Sequence, residues 1–232
     1  MSDLLMIVPS RGRPQNIADL VKCWTETTTG SSQLLVAVDD DDPALDGYLA
    51  LRWAAREPGV VLTIGKRRRM AGTLNYLAVI AARRHFAVGF MGDDHRPLTP
   101  GWDQTMVDAL RDLGTGIVYG DDLLQREALP TAVAMTSDII RALGYMAPPG
   151  LIHLALDNSW LALGQGAGCI RYLPDVVIEH LHPFAGKAPM DAGYIEVNAP
   201  EMYQRDLAEF ERWSQGELPS AIATVRALKA AA

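Results

Sequence analysis

Apolar residues in the first ninety positions of the chain follow two alternating patterns. Short continuous apolar runs, which predict buried parallel strands, lie at 4–8, 34–38, 60–64 and 86–91. Between them, apolar residues recur at the spacing of one helix face and predict helices at 17–27, 43–57 and 71–84. This alternation predicts an α/β fold, with a mostly parallel central sheet and helices on both faces.

The second half of the chain is less regular. Helices are predicted at 102–114, 137–144 and 156–164, strands at 116–120, 131–135, 169–173 and 175–182, and two further helices close the chain. We expect Ser137 or Thr136 to cap the helix at 137–144, and Asp157 lies where the next helix would have its N-cap. The glycine-rich stretch 164–168 follows a helix rather than a strand, so we interpret it as a helix C-terminal turn. No repeat or linker interrupts the chain, which predicts a single domain.

Charged residues follow the ends of the first four predicted strands. They belong to PSRGRP (9–14), DDDDP (39–43), GKRRR (65–69) and GDDHRP (92–97). In open α/β sheets, ligands bind beyond the carboxyl ends of the strands. The four segments therefore predict a site for a ligand that carries anionic groups and polar edges.

Composition narrows the class of protein further. The 232 residues are 49% apolar, which suffices for a sizeable core, and the net charge of −7 argues weakly against broad nucleic-acid binding. The isolated Cys23 and Cys169 indicate reduced thiols in a cytoplasmic compartment. No apolar run approaches the roughly 20 residues of a membrane span, and the first residues lack a signal-peptide pattern. We therefore expect a cytoplasmic protein with no membrane segment.

The adjacent carboxylates of Asp93 and Asp94 need an explanation, because neighbouring negative charges repel. A solvated turn is one interpretation. Capping of the next helix is excluded, since that helix is predicted to begin only after Pro100. A hard divalent cation is the alternative, because carboxylate oxygens are the ligands it prefers.

Four motifs, in this order along the chain, resemble those of GT-A-fold, family-2-like nucleotide-sugar glycosyltransferases. They are the first-strand loop PSRGRP, the second-strand VAVDDDDP, the Arg69-to-Asn75 spacing in RMAGTLN, and the Asp-Asp form of the Asp-x-Asp signature in GDDHRPLTPGW. The resemblance runs from Leu4 to about Pro183. It implies a GT-A (nucleotide-diphospho-sugar transferase) fold with a Rossmann-like sheet. Residues 1–98 would form the donor half of one domain, 99–198 the acceptor and catalytic half, and 199–232 the C-terminal helices.

The resemblance also implies a set of donor-binding residues. Asp39 would meet the nucleotide base, accepting an N–H from uracil if the donor is a UDP-sugar, and Asp93 would approach the ribose or the sugar. Lys187 would close over the diphosphate. The full implied set is Pro9, Ser10, Arg11, Arg13, Asp39, Arg69, Asn75, Asp93 and Lys187. For Arg67 and Arg68 in the same basic run, a solvated loop is the favoured interpretation, and contact with the phosphates of a nucleic-acid acceptor is the alternative.

A metal site and a general base follow from the same resemblance. Asp94 would hold Mn²⁺, or Mg²⁺ less favourably, together with a late histidine. His180 and His182 share a face if their segment is extended, and the sequence does not separate them as ligands. His95 is interpreted as a bystander. Asp157 would be the general base of an inverting transfer, a role compatible with helix capping.

The expected function is therefore metal-dependent transfer of a sugar from a nucleotide-sugar to an acceptor hydroxyl. The small domain resembles compact phage-encoded glycosyltransferases, which would place it in the host cytoplasm. The acceptor is open between a modified nucleobase in phage DNA, a protein and a saccharide. A sugar nucleotidyltransferase is one alternative, although PSRGRP (9–14) has a single glycine where that class has a glycine-rich loop. A non-catalytic nucleotide-sugar-binding protein is the other.

Overall fold

One eight-stranded sheet forms the centre of the molecule. The structure is a computed structural model that describes residues 2–51 and 59–231. The strands are β1 Leu4–Ser10, β2 Ser32–Asp39, β3 Val60–Gly65, β4 Ala87–Phe90, β5 His95–Pro97, β6 Ile117–Asp121, β7 Val133–Thr136 and β8 Ile170–His180. Their order is β3-β2-β1-β4-β7-β6-β8-β5. The first four run parallel, and β6 and β8 are parallel to each other, whereas β7 and β5 are antiparallel to their neighbours. The predicted α/β class with a mostly parallel sheet is confirmed.

Helices cover both faces of the sheet. They are α1 Pro14–Thr27, α2 Leu45–Ala50, α3 Arg69–Ala81, α4 Trp102–Leu113, α5 Ser137–Leu143, α6 Leu156–Ala167, α7 Ala192–Val197, α8 Pro200–Gly216 and α9 Leu218–Ala231. On one face α1 and α4 meet through Trp24 and Trp102, whose rings lie edge to face at 5.3 Å. On the other face α3, α5, α6 and α9 bury Trp160 and Trp213.

Strand β1 is continuously apolar because both of its faces are buried. Leu4, Met6 and Val8 face one core, whereas Leu5 and Ile7 face the other, and all five are buried. A strand covered on both faces has no solvent side, so polar alternation is absent. Its first polar side chains therefore come at its carboxyl end, where β2 and β4 flank it.

Several predicted elements have different bounds in the structure. The helix predicted at 43–57 is α2, and residues 52–58 lie outside the described part of the chain. The two strands predicted at 169–173 and 175–182 are one strand, β8, whose register against β6 shifts between Gly120 and Asp121. Strand β5 has only three residues, too few for a pattern to predict it. The turn predicted at 164–168 is confirmed, since α6 ends at Ala167, just before a left-handed residue.

The two capping predictions have different outcomes. Thr136 is the N-cap residue of α5, as one of the two predicted candidates, but its hydroxyl makes no capping hydrogen bond and accepts instead from Gly116 N at 3.1 Å. The residue before α6 is Ala155 with φ at 61°, so Asp157 lies inside the first turn of that helix. The preceding backbone N–H groups of 152–154 already donate to the buried carboxylate of Asp206, which fixes the path of the chain into α6.

Within the described residues, no helix combines the length and the apolar character needed to cross a membrane. Cys23 and Cys169 are free thiols.

Candidate active site

The site lies where strand ends carrying polar residues meet. Asp93 and Asp94 follow β4, and His95 begins β5. Because β5 pairs antiparallel with β8, His95 lies opposite His180, the last residue of β8. Their imidazole rings stack at 4.2 Å with an interplanar angle of 19°. A long-range strand pairing therefore brings together side chains that are 85 positions apart in the sequence.

Asp94 is at the centre of this group. Its Oδ1 lies 3.1 Å from His95 Nδ1, its Oδ2 lies 3.4 Å from His180 Nε2, and Tyr194 Oη donates a hydrogen bond to Oδ2. Burial alone would raise the pKa of Asp94, but His180 and His95 hold it well below its usual range. Asp94 is therefore an ionised, buried carboxylate beside two imidazoles.

Asp94, His95 and His180 each offer a ligand atom, and these atoms all lie within 4.8 Å of one another. His180 thus belongs to the group, whereas His182 lies beyond the end of β8 and its Nδ1 accepts a hydrogen bond from Phe184 N at 3.2 Å. Metal ligation by His182 stays a prediction without support from this geometry. His95, interpreted from sequence as a bystander, lies inside the group.

Asp93 has different partners from those of its neighbour. Ser10 Oγ donates to Asp93 Oδ2 at 2.6 Å, and Arg13 Nη1 donates to Oδ1 at 3.2 Å. Burial and the adjacent charge of Asp94 raise the pKa of Asp93 to about 6, against the opposing effect of Arg13. The two adjacent carboxylates thus have different surroundings: Asp93 faces Arg13, and Asp94 faces the imidazoles.

Arginines line the ends of β1 and β3. Arg11 Nη1 lies 3.0 Å from Asp39 Oδ2 and 2.6 Å from Asp41 Oδ1, and Arg67 Nε lies 3.8 Å from Asp39 Oδ2. Burial raises the pKa of Asp39, although Arg11 opposes the shift. A groove of about 190 Å³ beside Asp39 is lined by residues of β2, β3 and α3.

A short segment around α7 lies against this row of arginines. Arg13 binds Asp191 with two hydrogen bonds of 2.7 Å, and its guanidinium lies 4.1 Å from the ring centroid of Tyr194. Further along the same helix, Glu196 pairs with both Arg67 and Arg69. The α7 segment therefore contacts both the predicted phosphate-binding arginines and the predicted metal ligand. Its sequence gave no signal for this placement.

Three predicted donor-binding residues lie apart from the carboxylate–imidazole group. Asn75 binds the backbone of the loop 145–151, accepting from Met146 N and Ala147 N and donating to Ala147 O, so three of the four hydrogen bonds that its amide can make go to this loop. Lys187 Nζ lies 2.8 Å from Glu179 Oε1. Pro9 is half-buried inside β1. Donor binding by these three side chains stays a prediction.

Asp157 lies close enough to His180 and Asp122 for their charges to affect its pKa. Burial, the larger effect, raises that pKa above its ordinary value. Nearby, burial lowers the pKa of His153 to about 4. The charge of Asp206 opposes this shift, and the charge of Arg13 adds to it. Sequence reasoning missed His153, since a lone histidine in a loop carries no pattern.

Asp122 is a second site residue that sequence reasoning missed. It ends the segment Gly120-Asp121-Asp122, which repeats the Gly-Asp-Asp pattern of 92–94 at another strand end. Its carboxylate is buried, and Oδ2 lies 4.0 Å from His180 Nδ1. The repeated pattern was the signal that could have identified it.

Comparisons with solved structures identify the fold. A mannosyltransferase from Pyrobaculum calidifontis in complex with GDP-Man and Mn²⁺ has a TM-score of 0.64 at 19% identity, with 99% of this chain and 74% of that chain covered. S. aureus TarS 1–349 in complex with UDP-GlcNAc has a TM-score of 0.58 at 12% identity, with 92% of this chain and 73% of that chain covered. A mycobacterial protein has a TM-score of 0.56 at 15% identity, with 84% of this chain and 72% of that chain covered. No protein-family model and no curated protein matches the chain. The chain has the GT-A-type fold of these structures, as the sequence predicted.

Proposed function

We propose that the chain is a metal-dependent glycosyltransferase that moves a sugar from a nucleoside-diphosphate sugar to an acceptor hydroxyl. The observation that carries the proposal is the buried carboxylate of Asp94 facing the imidazole of His180 at 3.4 Å, on a GT-A-type fold. Two structures with this fold are complexes with GDP-Man and Mn²⁺ and with UDP-GlcNAc, which supports a nucleotide-sugar donor here.

The donor atoms around Asp94 fit a divalent cation. Two ligands held at about 2.1 Å from one cation lie about 3 Å apart at a right angle, and the separations of 3.1 and 3.4 Å from Asp94 to His95 and His180 are of that size. A carboxylate combined with imidazole suits Mn²⁺, and Mg²⁺ less well. When bound, such a cation would stabilise the negative charge that develops on a diphosphate leaving group.

The arginines that follow β1 and β3 support recognition of the donor's phosphates. Guanidinium groups bind phosphate oxygens with paired hydrogen bonds, and Arg13 and Arg69 pair with different residues of the α7 segment, Asp191 and Glu196. A diphosphate would exchange with the carboxylates that these arginines contact now. Asp39, beside the groove between β2 and α3, is our candidate for the base contact, and a base N–H donated to its carboxylate would favour uracil.

Asp157 is our candidate for the general base. A carboxylate with a raised pKa holds a proton better near neutral pH, which improves a base by the Brønsted relation. In the proposed step the acceptor oxygen forms a bond to the anomeric carbon as the bond from that carbon to the diphosphate breaks. The acceptor's proton passes to Asp157, and attack opposite the leaving group inverts configuration. Such a base contributes a factor of roughly 10² to 10⁴ in rate.

The acceptor remains a modified nucleobase in phage DNA, a protein or a saccharide. The loop 145–153, clamped by Asn75 and Asp206, and the C-terminal helices are our candidates for the acceptor side. A raised pKa at Asp157 suits the removal of a proton from a neutral hydroxyl group. A modified nucleobase, a protein and a saccharide can all carry such a group, so an assay with each class identifies the acceptor.

A donor screen tests the proposal. The purified chain is incubated with UDP-, GDP- and other nucleotide-sugars, with and without Mn²⁺, and release of the free nucleoside diphosphate is measured. We expect metal-dependent turnover that Asp94→Ala reduces at least about 100-fold, whereas Asp108→Ala, an exposed aspartate of α4, leaves it unchanged. Turnover that survives both a chelator and Asp94→Ala would contradict the proposal. Release of pyrophosphate from a nucleoside triphosphate and a sugar phosphate would identify a nucleotidyltransferase, and tight donor binding without turnover a binding protein.

A further inference from the structure

Asp122 lies behind the imidazoles of the candidate metal site, on the side away from Asp94. Its side chain is 3% exposed, and the residue immediately follows β6. Oδ1 accepts hydrogen bonds from three consecutive backbone N–H groups, those of Leu124 at 2.9 Å, Gln125 at 2.6 Å and Arg126 at 2.8 Å. This clamp fixes the orientation of the carboxylate and leaves Oδ2 directed toward the site.

His180 places one ring nitrogen toward each carboxylate. Nε2 lies 3.4 Å from Asp94 Oδ2, whereas Nδ1 lies 4.0 Å from Asp122 Oδ2. Nδ1 is buried and has no hydrogen-bond partner among the residues that the structure describes, which is unusual for a buried polar atom. If Nε2 presents its lone pair to a cation, the proton of the neutral ring must be on Nδ1. A movement of about 1 Å would then close a normal hydrogen bond to Asp122.

His95 is linked to the same carboxylate through a hydroxyl. Thr131 Oγ1 donates to Asp122 Oδ2 at 2.8 Å, so its lone pairs face His95 Nε2, 3.5 Å away. Gly92 N donates to the other ring nitrogen, Nδ1, at 3.1 Å. Both contacts assign the ring proton of His95 to Nε2. The lone pair of Nδ1, 3.1 Å from Asp94 Oδ1, accepts the Gly92 N–H in this structure, so a cation bound on the Asp94 side would have to replace that N–H as its partner.

We propose that Asp122 is a positioning residue for the metal site, holding His180 directly and His95 through Thr131 in the tautomers whose lone pairs are on the Asp94 side. A carboxylate behind a metal-binding histidine fixes the ring's tautomer and orientation and makes the ring more basic as a ligand. Here one carboxylate serves two stacked rings. This inference rests on the proposed function, because it assumes that the group around Asp94 binds a divalent cation.

Mn²⁺ binding to the metal-free protein tests the inference independently of catalysis. Free Mn²⁺ is measured by electron paramagnetic resonance during titration of wild type, Asp122→Asn and the matched control Asp121→Asn. Asparagine keeps the size of Asp122 and a carbonyl oxygen for the backbone clamp. The NH2 group that would replace Oδ2 cannot accept a hydrogen bond from His180 Nδ1. Asp121 adjoins Asp122 and accepts from Leu123 N at 2.8 Å, so its variant perturbs the same loop away from the imidazoles.

We expect Asp122→Asn to weaken Mn²⁺ binding about 10- to 100-fold, with Asp121→Asn unchanged and all three proteins equally folded by thermal melting. Equal Mn²⁺ affinity in wild type and Asp122→Asn would overturn the inference while leaving the proposed function intact. Failure of wild type to bind Mn²⁺ would instead overturn the metal site of the proposed function, and with it this inference.

A measurement on the wild type covers the case in which Asp122→Asn does not fold. In the Mg²⁺-loaded protein, long-range ¹⁵N–¹H spectra of the imidazoles report which ring nitrogen carries the proton. The inference requires the proton on Nδ1 of His180 and on Nε2 of His95. A metal-loaded His180 protonated on Nε2 would overturn it.

Discussion

Glu196 provides a direct test of where the donor's phosphates bind, because its carboxylate contacts Arg69, which we propose binds them, and the neighbouring Arg67. Glu196→Gln removes this negative charge from Arg67 and Arg69 but keeps the size of the side chain. In the wild type, an arriving diphosphate must displace these ion pairs. In the variant there is less to displace, so the variant should bind UDP more tightly.

The size of the effect follows from the exposure of the pairs. Arg69 is 39% and Glu196 45% exposed, so surface values apply, and each such pair is worth about 0.2–1 kcal/mol. Two pairs share one carboxylate, and glutamine retains part of the hydrogen bonding. A net gain of about 0.5–1.4 kcal/mol corresponds to roughly 2- to 10-fold tighter binding.

Isothermal titration of UDP in the presence of Mn²⁺ measures this gain. The gain should shrink between 50 mM and 500 mM salt, because screening weakens exposed ion pairs. Glu201→Gln is the matched control, since Glu201 is an exposed glutamate in the first turn of α8 with no ion pair among the described residues. If Glu196→Gln binds UDP no more tightly than wild type at low salt, Arg67 and Arg69 are not the phosphate-binding arginines.

Three further predictions concern the base, the loop clamp and pH. Asp157→Asn should lower kcat about 10²- to 10⁴-fold with donor affinity unchanged by titration calorimetry; full transfer activity would exclude it as the base. Asp206→Ala should lower the free energy of unfolding in urea by about 3–5 kcal/mol, because it leaves the N–H groups of 152–154 without their acceptor; a loss below about 1 kcal/mol would show that water replaces the clamp. The pKa of His153 falls from 6.5 to about 4 on folding, so the unfolded chain binds the proton first and stability should fall by about 1–3 kcal/mol as pH drops through that window. Urea titrations of wild type and His153→Gln at pH 7 and pH 4.5 check this, and equal pH dependence in both would refute it.

The sequence predicted those parts of the site that depend on strand ends. Strand β4 is a short unbroken apolar run, so Asp93 and Asp94 had to lie beyond its carboxyl end, whereas His180 was singled out by its two-residue spacing from His182 within the strand predicted at 175–182. The contact between His180 and His95 could not be predicted, because it depends on the three-residue strand β5 pairing with β8.

The other errors and omissions of the sequence predictions also come from contacts between distant segments. Asp157 was predicted as a site residue, but its expected cap position was wrong, because Asp206, about fifty positions later, sets the conformation of the preceding loop. Tyr194 and Glu196 reach the site from a six-residue helix whose sequence shows no clear periodicity. Local patterns predict elements and their ends, whereas these contacts join distant segments and depend on packing alone.

The two clamps on the loop 145–154 have a consequence for protein engineering. Asn75 and Asp206 bind only main-chain atoms of that loop, and any residue except proline supplies the same N–H group. Side chains at 152–154 can therefore be exchanged while the backbone keeps its course past the cleft. A combinatorial library at these three positions, built on an otherwise unchanged scaffold, would test the proposed role of this loop on the acceptor side.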